Sequence, residues 1–256
     1  MIEQKQTARE SVTHLLSDLE SNGYDLNRLG RIIGLFNVWS GAQTPNLRPM
    51  QLAKNDVFMP GLEMDVPWLE NSIFPVAAMM KEQFCDLRDE VRRLQSLQLL
   101  TPYGVEQERP ARSQAPPGWK MYQLLENSRL NDEKSQYAPV AASIARSALA
   151  EHSYVSQVAY LELGPGEELE EHVDYANFLV SCHLGLIIPE NCGLKVAGED
   201  REWIEGECLA FNNSYLHSAY NHGSSTRVVL AIHALHPCLS RDEKEALKFV
   251  LQSFGI

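Results

Sequence analysis

The sequence predicts an α+β protein whose second half folds as an antiparallel β-sandwich or barrel. Two observations carry this expectation. Apolar residues recur at helical spacing through the first half and again at the end, whereas from about residue 154 they fall into short runs separated by turn residues. Helices and strands also do not alternate regularly, as the crossovers of a parallel sheet would require.

The elements follow in order. Residues 9–19 carry Val12, Leu15, Leu16 and Leu19 at spacings of three and four, one apolar face of a helix that Gly23 should stop. A second short helix is expected over 26–36. Ser40-Gly41 and several prolines up to Pro67 then make an irregular stretch. Residues 74–100 read as one long amphipathic helix, with Val76, Met79, Met80, Phe84, Leu87, Val91 and Leu94 on one side and Glu82, Asp86, Asp89, Arg92 and Arg93 mostly on the other. The proline-rich 107–117 is the candidate for a loop over or beside a site. After a helix near 139–149, strands are expected at 154–163, 178–188, 193–196, 208–211 and 227–235, with Gly164-Pro165-Gly166 as a turn. A last helix, 241–251, begins at Ser240, and Glu243 three residues on completes a capping box.

Composition limits the functional classes. A chain of 256 residues that is 44% hydrophobic can bury a sizeable core, as one large domain or two small ones. Its formal charge of -12, from 34 acidic against 22 basic residues, repels phosphate backbones and anionic lipid surfaces, so neither nucleic acid nor membrane is the expected partner. No apolar run approaches the roughly 20 residues that span a bilayer. The opening MIEQKQTARE also lacks the apolar core of a secretion signal, and the expected setting is soluble and cytoplasmic. Cys85, Cys182, Cys192, Cys208 and Cys238 are odd in number and form no C-x-x-C pair, which suggests reduced thiols rather than a disulfide framework or a zinc knuckle.

In the β half, His172-Val173-Asp174 follows the Gly-Pro-Gly turn, and an extended backbone would point both side chains to one side. His217 stands just after the 208–211 strand. Two imidazoles and one carboxylate make the facial triad of non-haem Fe(II), with positions left open for co-substrate and oxygen. An isolated His-x-Asp is more often a surface or hydrogen-bonded histidine than a ligand pair. Arg227, ten residues beyond His217 at the head of an apolar strand, strengthens the metal reading. A buried guanidinium needs an anion, and its planar fork matches the far carboxylate of 2-oxoglutarate chelated on iron. The alternative is a rim arginine that caps the strand.

Further blocks carry a resemblance. His183-Leu184-Gly185-Leu186, Pro189, Cys192, Trp203, Gly206, Phe211-Asn212-Asn213-Ser214, His217, Arg227 and His236-Pro237 occur in the order and spacing of a known signature. Phe58-Met59-Pro60-Gly61-Leu62 and Pro67-Trp68 match its upstream region. Over roughly 58–237 the chain resembles the aspartyl/asparaginyl β-hydroxylase family of Fe(II)/2-oxoglutarate-dependent oxygenases. The resemblance implies a double-stranded β-helix, the jelly-roll or cupin-like core, at about 154–237. That core would lie within an oxygenase domain 57–256 with flanking N-terminal and C-terminal helices, preceded by a helical segment 1–56. It also implies that His172 and His217 hold iron, that Arg227 binds the distal carboxylate of 2-oxoglutarate and that His183 sits near its iron-bound end; on sequence alone His183 would be a core histidine.

Two departures from the family pattern matter. Members that hydroxylate aspartate or asparagine in proteins have glycine two residues after the first histidine, where this chain has Asp174, so a full triad is available and halogenation is disfavoured. Those members also carry two arginines just before the His-Leu-Gly block, where this chain has Leu179 and Ser181. The expected activity is therefore hydroxylation of an unactivated C-H bond in a small amino acid, peptide or natural-product intermediate. It would consume O2 and 2-oxoglutarate and release succinate and CO2. Tyr175, Asn177, Tyr220 and the 107–117 loop are candidate substrate contacts by proximity or, at least as readily, structural elements, and His222 and His233 have no role. Two other classes stay open: a metal-dependent hydrolase on the same ligands, and a non-catalytic β-barrel binding module. Substrate identity and oligomeric state are not legible.

Overall fold

The structure, a computed structural model, describes residues 2–53, 57–103, 116–174 and 176–253, with side chains from residue 11 onward. Strand order defines the architecture. One sheet of eight strands contains β1 (Trp68–Leu69), β2 (Thr101–Pro102), β3 (Lys120–Glu126), β4 (Arg129–Leu130), β5 (Val155–Leu163), β7 (Leu179–Ile187), β10 (Cys208–Asn212) and β12 (Arg227–Leu235). Its order is β1-β10-β7-β12-β5-β3-β2, with β4 on β3. The second sheet holds β6 (Glu167–His172), β8 (Cys192–Val196), β9 (Glu199–Glu202) and β11 (His217–Asn221), in the order β6-β11-β8-β9. From β5 to β12 the chain passes back and forth between the two sheets through antiparallel pairings, which is a double-stranded β-helix inside an α+β protein.

Side-chain alternation explains why these sheets stay together. On β12, Val228, Leu230, Ile232 and Ala234 face an outer cluster with Val180, Cys182, Leu184 and Leu186 of β7; Val229 and Ala231 face an inner cluster with Phe211, Leu194, Val196, Met121 and Leu161. A strand buried on both faces reads as a continuous apolar run, which is why 178–188 and 227–235 were visible without alternation. The charged strands β6 and β9 lie largely exposed and give no apolar signal; they escaped sequence reading, as did β3 and β11.

Helices cover two surfaces. α3 (Pro75–Glu82), α4 (Phe84–Ser96) and α6 (Pro139–His152) cover the outer face of the larger sheet. The expected single helix over 74–100 is two helices, broken at Gln83 (φ -95°, ψ 16°). Val76, Ala77 and Met80 before the break and Leu87, Val91 and Leu94 after it enter the same cluster, so the apolar period runs across the break. A short α5 (Asp132–Tyr137), capped by Asn131, was not anticipated.

α1 (Ile2–Ser21), α2 (Gly30–Trp39) and α7 (Arg241–Ser253) gather at one end of the sheets, where Leu15, Leu19, Ile32, Phe36, Leu247 and Val250 pack with Phe178, Leu179 and Leu235. Gly23, at φ 85°, ends α1 as expected, with Tyr24 N donating to Leu19 O at 3.0 Å. The expected helix at 26–36 is a 3-10 turn, Leu26–Arg28, followed by α2.

The capping box at α7 is present: Ser240 N donates to Glu243 Oε2 at 2.8 Å and Glu243 N to Ser240 Oγ at 3.3 Å. The same carboxylate accepts Arg31 Nε at 2.6 Å and Arg31 Nη2 at 2.5 Å, tying α7 to α2. Burial alone would push the Glu243 carboxyl up, but the Arg31 and Ser240 donors hold it below its ordinary value. A carboxylate depressed in the folded state stabilises it above the unfolded pKa of about 4.3, and that contribution is lost as pH falls through the folded value. Thermal unfolding of Glu243→Gln at a series of pH values should show lower stability than the parent at pH 7 and a shallower loss on acidification below about pH 5.

Candidate metal centre

Three side chains converge inside the smaller sheet. His172 ends β6, His217 begins β11, and the two are register partners, their rings 4.3 Å apart. Asp174 reaches the same point from two residues beyond β6, outside the strand that period-two reasoning assumed for it. Its Oδ1 lies 3.5 Å from His172 Nε2 and its Oδ2 lies 3.4 Å from His217 Nε2. One donor atom from each residue falls within 4.8 Å of the others.

Both imidazoles are oriented through their opposite nitrogen. His172 Nδ1 meets Glu170 O at 2.6 Å, and His217 Nδ1 meets Tyr215 O at 2.9 Å. A backbone carbonyl requires Nδ1 to carry the proton, which leaves the Nε2 lone pairs facing Asp174, as in the outer hydrogen bonds of metal-binding histidines. Burial acts to raise the Asp174 carboxyl, but a hydrogen bond from His217 and the positive charge that His217 and His172 carry when protonated hold it well below the usual carboxylate range; a bound metal would supply that charge with both imidazoles neutral. Two neutral imidazole donors and an ionised carboxylate are the donor set of a mid-row divalent metal such as Fe(II).

A cavity extends from this centre into the barrel. Arg227, at the head of β12, is 2% exposed, its guanidinium 4.7 Å from the Trp203 ring. Its Nε has no hydrogen-bond partner among the described residues, and burial lowers its pKa to about 10. His183, on β7 opposite Ala231, is buried with both ring nitrogens unpartnered; desolvation, then His233 and Arg227, push its pKa well below the ordinary histidine value. His233 lies parallel to it, ring centroids 5.9 Å apart, and is lowered by burial to about 4. Trp203 Nε1 is also buried without a partner. A buried cation, neutral imidazoles and a metal-ligand cluster in one cavity form a receptor for an anion that also reaches the metal.

The structure brings His172, Asp174, His217, His183 and Arg227 into this cavity together with residues not assigned from sequence: His233, Gln157, Trp203 and the stacked pair Tyr103 and Trp119, 3.6 Å apart. His233 had a signal, because it lies three period-two steps from Arg227 and therefore faces the same way. Two candidate substrate contacts are corrected. Asn177 is fully buried and holds Met59, its Oδ1 accepting Met59 N and its Nδ2 donating to Met59 O, both at 2.9 Å. Tyr220 stacks on His222, 4.7 Å away, next in alternation to the inward Ala219. Tyr175 and residues 107–115 of the expected loop lie outside the described residues.

Comparison with known proteins places this geometry in context. The model of a family described as aspartyl/asparaginyl beta-hydroxylase matches residues 81–237, more than half of the chain. Aspartate beta-hydroxylase domain-containing protein 2 of Homo sapiens is 42% identical over 91 residues, 34% of this chain and 25% of that protein. Aspartyl/asparaginyl beta-hydroxylase of Mus musculus is 29% identical over 131 residues, 50% of this chain and 18% of that protein. The chain thus spans about a quarter or less of the length of these curated relatives. Among solved structures, a viral collagen prolyl hydroxylase from Paramecium Bursaria Chlorella virus-1, in complex with 2OG, is 12% identical with a TM-score of 0.33, covering 46% of this chain and 79% of that one. A predicted oxalate decarboxylase from Thermotoga maritima is 15% identical with a TM-score of 0.32, covering 46% and 81%. At such scores these likenesses carry no functional weight, and the fold assignment rests on strand order.

If the three converging side chains bind a divalent metal, binding adds to folding stability. Mn(II) at a hundredfold its dissociation constant should stabilise the protein by about 2.7 kcal/mol. Differential scanning fluorimetry should show this shift in the parent and its absence in His217→Ala.

Proposed function

The chain belongs to the aspartyl/asparaginyl β-hydroxylase family, and from that premise we propose that it is an Fe(II)- and 2-oxoglutarate-dependent dioxygenase. It hydroxylates an unactivated C-H bond of a small amino acid, a peptide or a natural-product intermediate, with release of succinate and CO2. The observation that carries this reading is the buried Arg227 guanidinium, without an ion pair among the described residues, in the same cavity as the His172, Asp174 and His217 cluster. A zinc-bound water that attacks a neutral substrate needs no buried cation in its cavity, whereas a dicarboxylate co-substrate does.

Each residue then has a defined task. His172, Asp174 and His217 hold the iron, which with O2 and 2-oxoglutarate supplies the oxidising power when bound. Arg227 pairs with the distal carboxylate of 2-oxoglutarate, and the Trp203 ring beneath it fixes the guanidinium plane. His183, neutral, donates a hydrogen bond toward the iron-bound end of the keto acid without adding charge beside the metal. The apolar lining of Phe211, Leu194 and Leu161 keeps bulk water from the centre and strengthens these contacts. Leu179 and Ser181 supply no cation on β7, which favours a substrate other than an acidic side chain. The five free cysteines suit a reducing, cytoplasmic setting, and no described helix is long and apolar enough to cross a membrane.

The test is anaerobic titration of the protein with Fe(II) and 2-oxoglutarate, read as the visible charge-transfer band of a chelated keto acid. The parent should develop the band. Asp174→Ala should lose most of it, and Arg227→Ala should need roughly ten- to hundredfold more 2-oxoglutarate, because a charge-assisted hydrogen bond is worth about 1.5–3 kcal/mol. Iron binding without the band would refute the co-substrate assignment and favour the hydrolase or binding-module alternatives.

A further inference from the structure

A buried polar network lies behind the metal centre and includes none of its ligands. Asp65, 6% exposed, precedes β1 in the irregular stretch between the N-terminal helices and the sheet. Its Oδ1 accepts Gln51 Nε2 at 2.7 Å and Asn212 Nδ2 at 3.0 Å, its Oδ2 accepts Asn177 Nδ2 at 3.4 Å, and its backbone carbonyl accepts the Tyr215 hydroxyl at 2.9 Å. Gln51 Nε2 also donates to Ser214 Oγ at 3.0 Å, and Ser214 in turn donates to Asn212 Oδ1 from both N (3.0 Å) and Oγ (2.7 Å). Gln51, Asn177, Asn212 and Ser214 are all buried.

The network converges on one turn, residues 212–216, between β10 and β11. That turn touches two of the three candidate ligands directly. Asn213 O accepts the backbone N-H of Asp174 at 3.1 Å, and Tyr215 O meets His217 Nδ1 at 2.9 Å. The upstream segment also clasps it through backbone bonds, Leu52 N to Ser214 O at 2.9 Å and Leu216 N to Met50 O at 2.7 Å. The carbonyl that selects the His217 tautomer and the carbonyl that seats Asp174 are therefore placed by side chains that converge on Asp65.

A carboxylate answers this arrangement: burial pushes the Asp65 carboxyl above its ordinary value, and the amide donors of Gln51, Asn177 and Asn212 oppose that rise. Three side-chain amides present N-H donors to it, and a carboxylate has lone pairs for all of them, whereas an amide at position 65 would turn its own N-H groups against at least one donor. We infer that Asp65 is a positioning residue for the metal centre: it anchors the 212–216 turn and through it sets the placement of Asp174 and His217. The inference rests on the metal-centre reading above. It also gives the segment around Gln51 a task at the site, a part that neither the helical periodicity nor the His-x-Asp motif reveals.

Co(II) titration of the full chain tests it, because Co(II) reports both affinity and ligand geometry through its d-d absorption. Asp65→Asn should bind Co(II) about tenfold or more weakly, as loss of partners around ligating histidines does, with a changed band shape. Val91→Ala, a core truncation in α4, should lose thermal stability while keeping the parental affinity and spectrum. Co(II) binding by Asp65→Asn within twofold of the parent, with the parental spectrum, overturns the inference. If Asp65→Asn does not fold, Gln51→Met, which removes the donor shared by Asp65 and Ser214, is judged by the same affinity and spectral criteria. A parent that binds no Co(II) would instead refute the metal centre itself, and the inference with it.

Discussion

The antiparallel register of β6 against β11 is the constraint on which the centre of this protein depends. Through a one-residue register shift between His217 and Ala219 it sets His172 opposite His217, so that two imidazoles from residues 45 positions apart in the chain stand on one inner face. A slip of one residue would turn either side chain to the opposite face. The register is secured on the other side of β11, where His217 to Asn221 pair residue by residue with Val196 to Cys192, and by the apolar side chains Ala219, Leu194 and Val196 that this pairing turns inward.

Around that pair the barrel interior imposes a second constraint. Val229, Ala231, Phe211 and Leu161 make a space in which an unpaired polar group costs about 1–3 kcal/mol. The protein nevertheless places Arg227 Nε and both His183 ring nitrogens there without partners among the described residues. Two buried carboxylates elsewhere are matched closely: Glu90 accepts Tyr160 Oη at 2.7 Å and two backbone N-H groups at the start of α6, and Asp65 accepts three amides. Polar nitrogens left without partners in the cavity that holds the metal ligands are what a site organised before its ligand arrives would show.

The helices serve these two constraints from outside. α3, α4 and α6 bury the outer face of β7 and β12, which holds those strands flat against one another and fixes the spacing of His183, His233 and Arg227 within. The helices at the two chain ends close one end of the sheets, and the stretch between α2 and β1 returns to grip the turn before His217. Segments far apart in sequence are linked at the metal centre through backbone hydrogen bonds rather than through ligands of their own.

Much of this was legible in the sequence, for reasons that can be named. Strands buried on both faces announce themselves as apolar runs, so β5, β7 and β12 were located to within a residue or two, and Ser240 with Glu243 marked the start of α7 because a capping box is a local interaction. The family was recognisable from the spaced blocks around His183, Phe211 and Arg227. β6 and β9 were hidden because exposed charged strands have no apolar period, and the break at Gln83 was hidden because one non-helical residue does not disturb the period of the packed face. What sequence alone determined was the inventory of donors, cation and core-forming strands. Tertiary structure decided that Asp174 reaches the centre from beyond its strand, that Asn177 braces the backbone of Met59 and that Asp65 and Gln51 support the turn before His217. The physical reason is that helical and strand periods encode which face of an element is buried, whereas hydrogen bonds between residues more than a hundred positions apart depend on how the elements dock, and no local pattern records that.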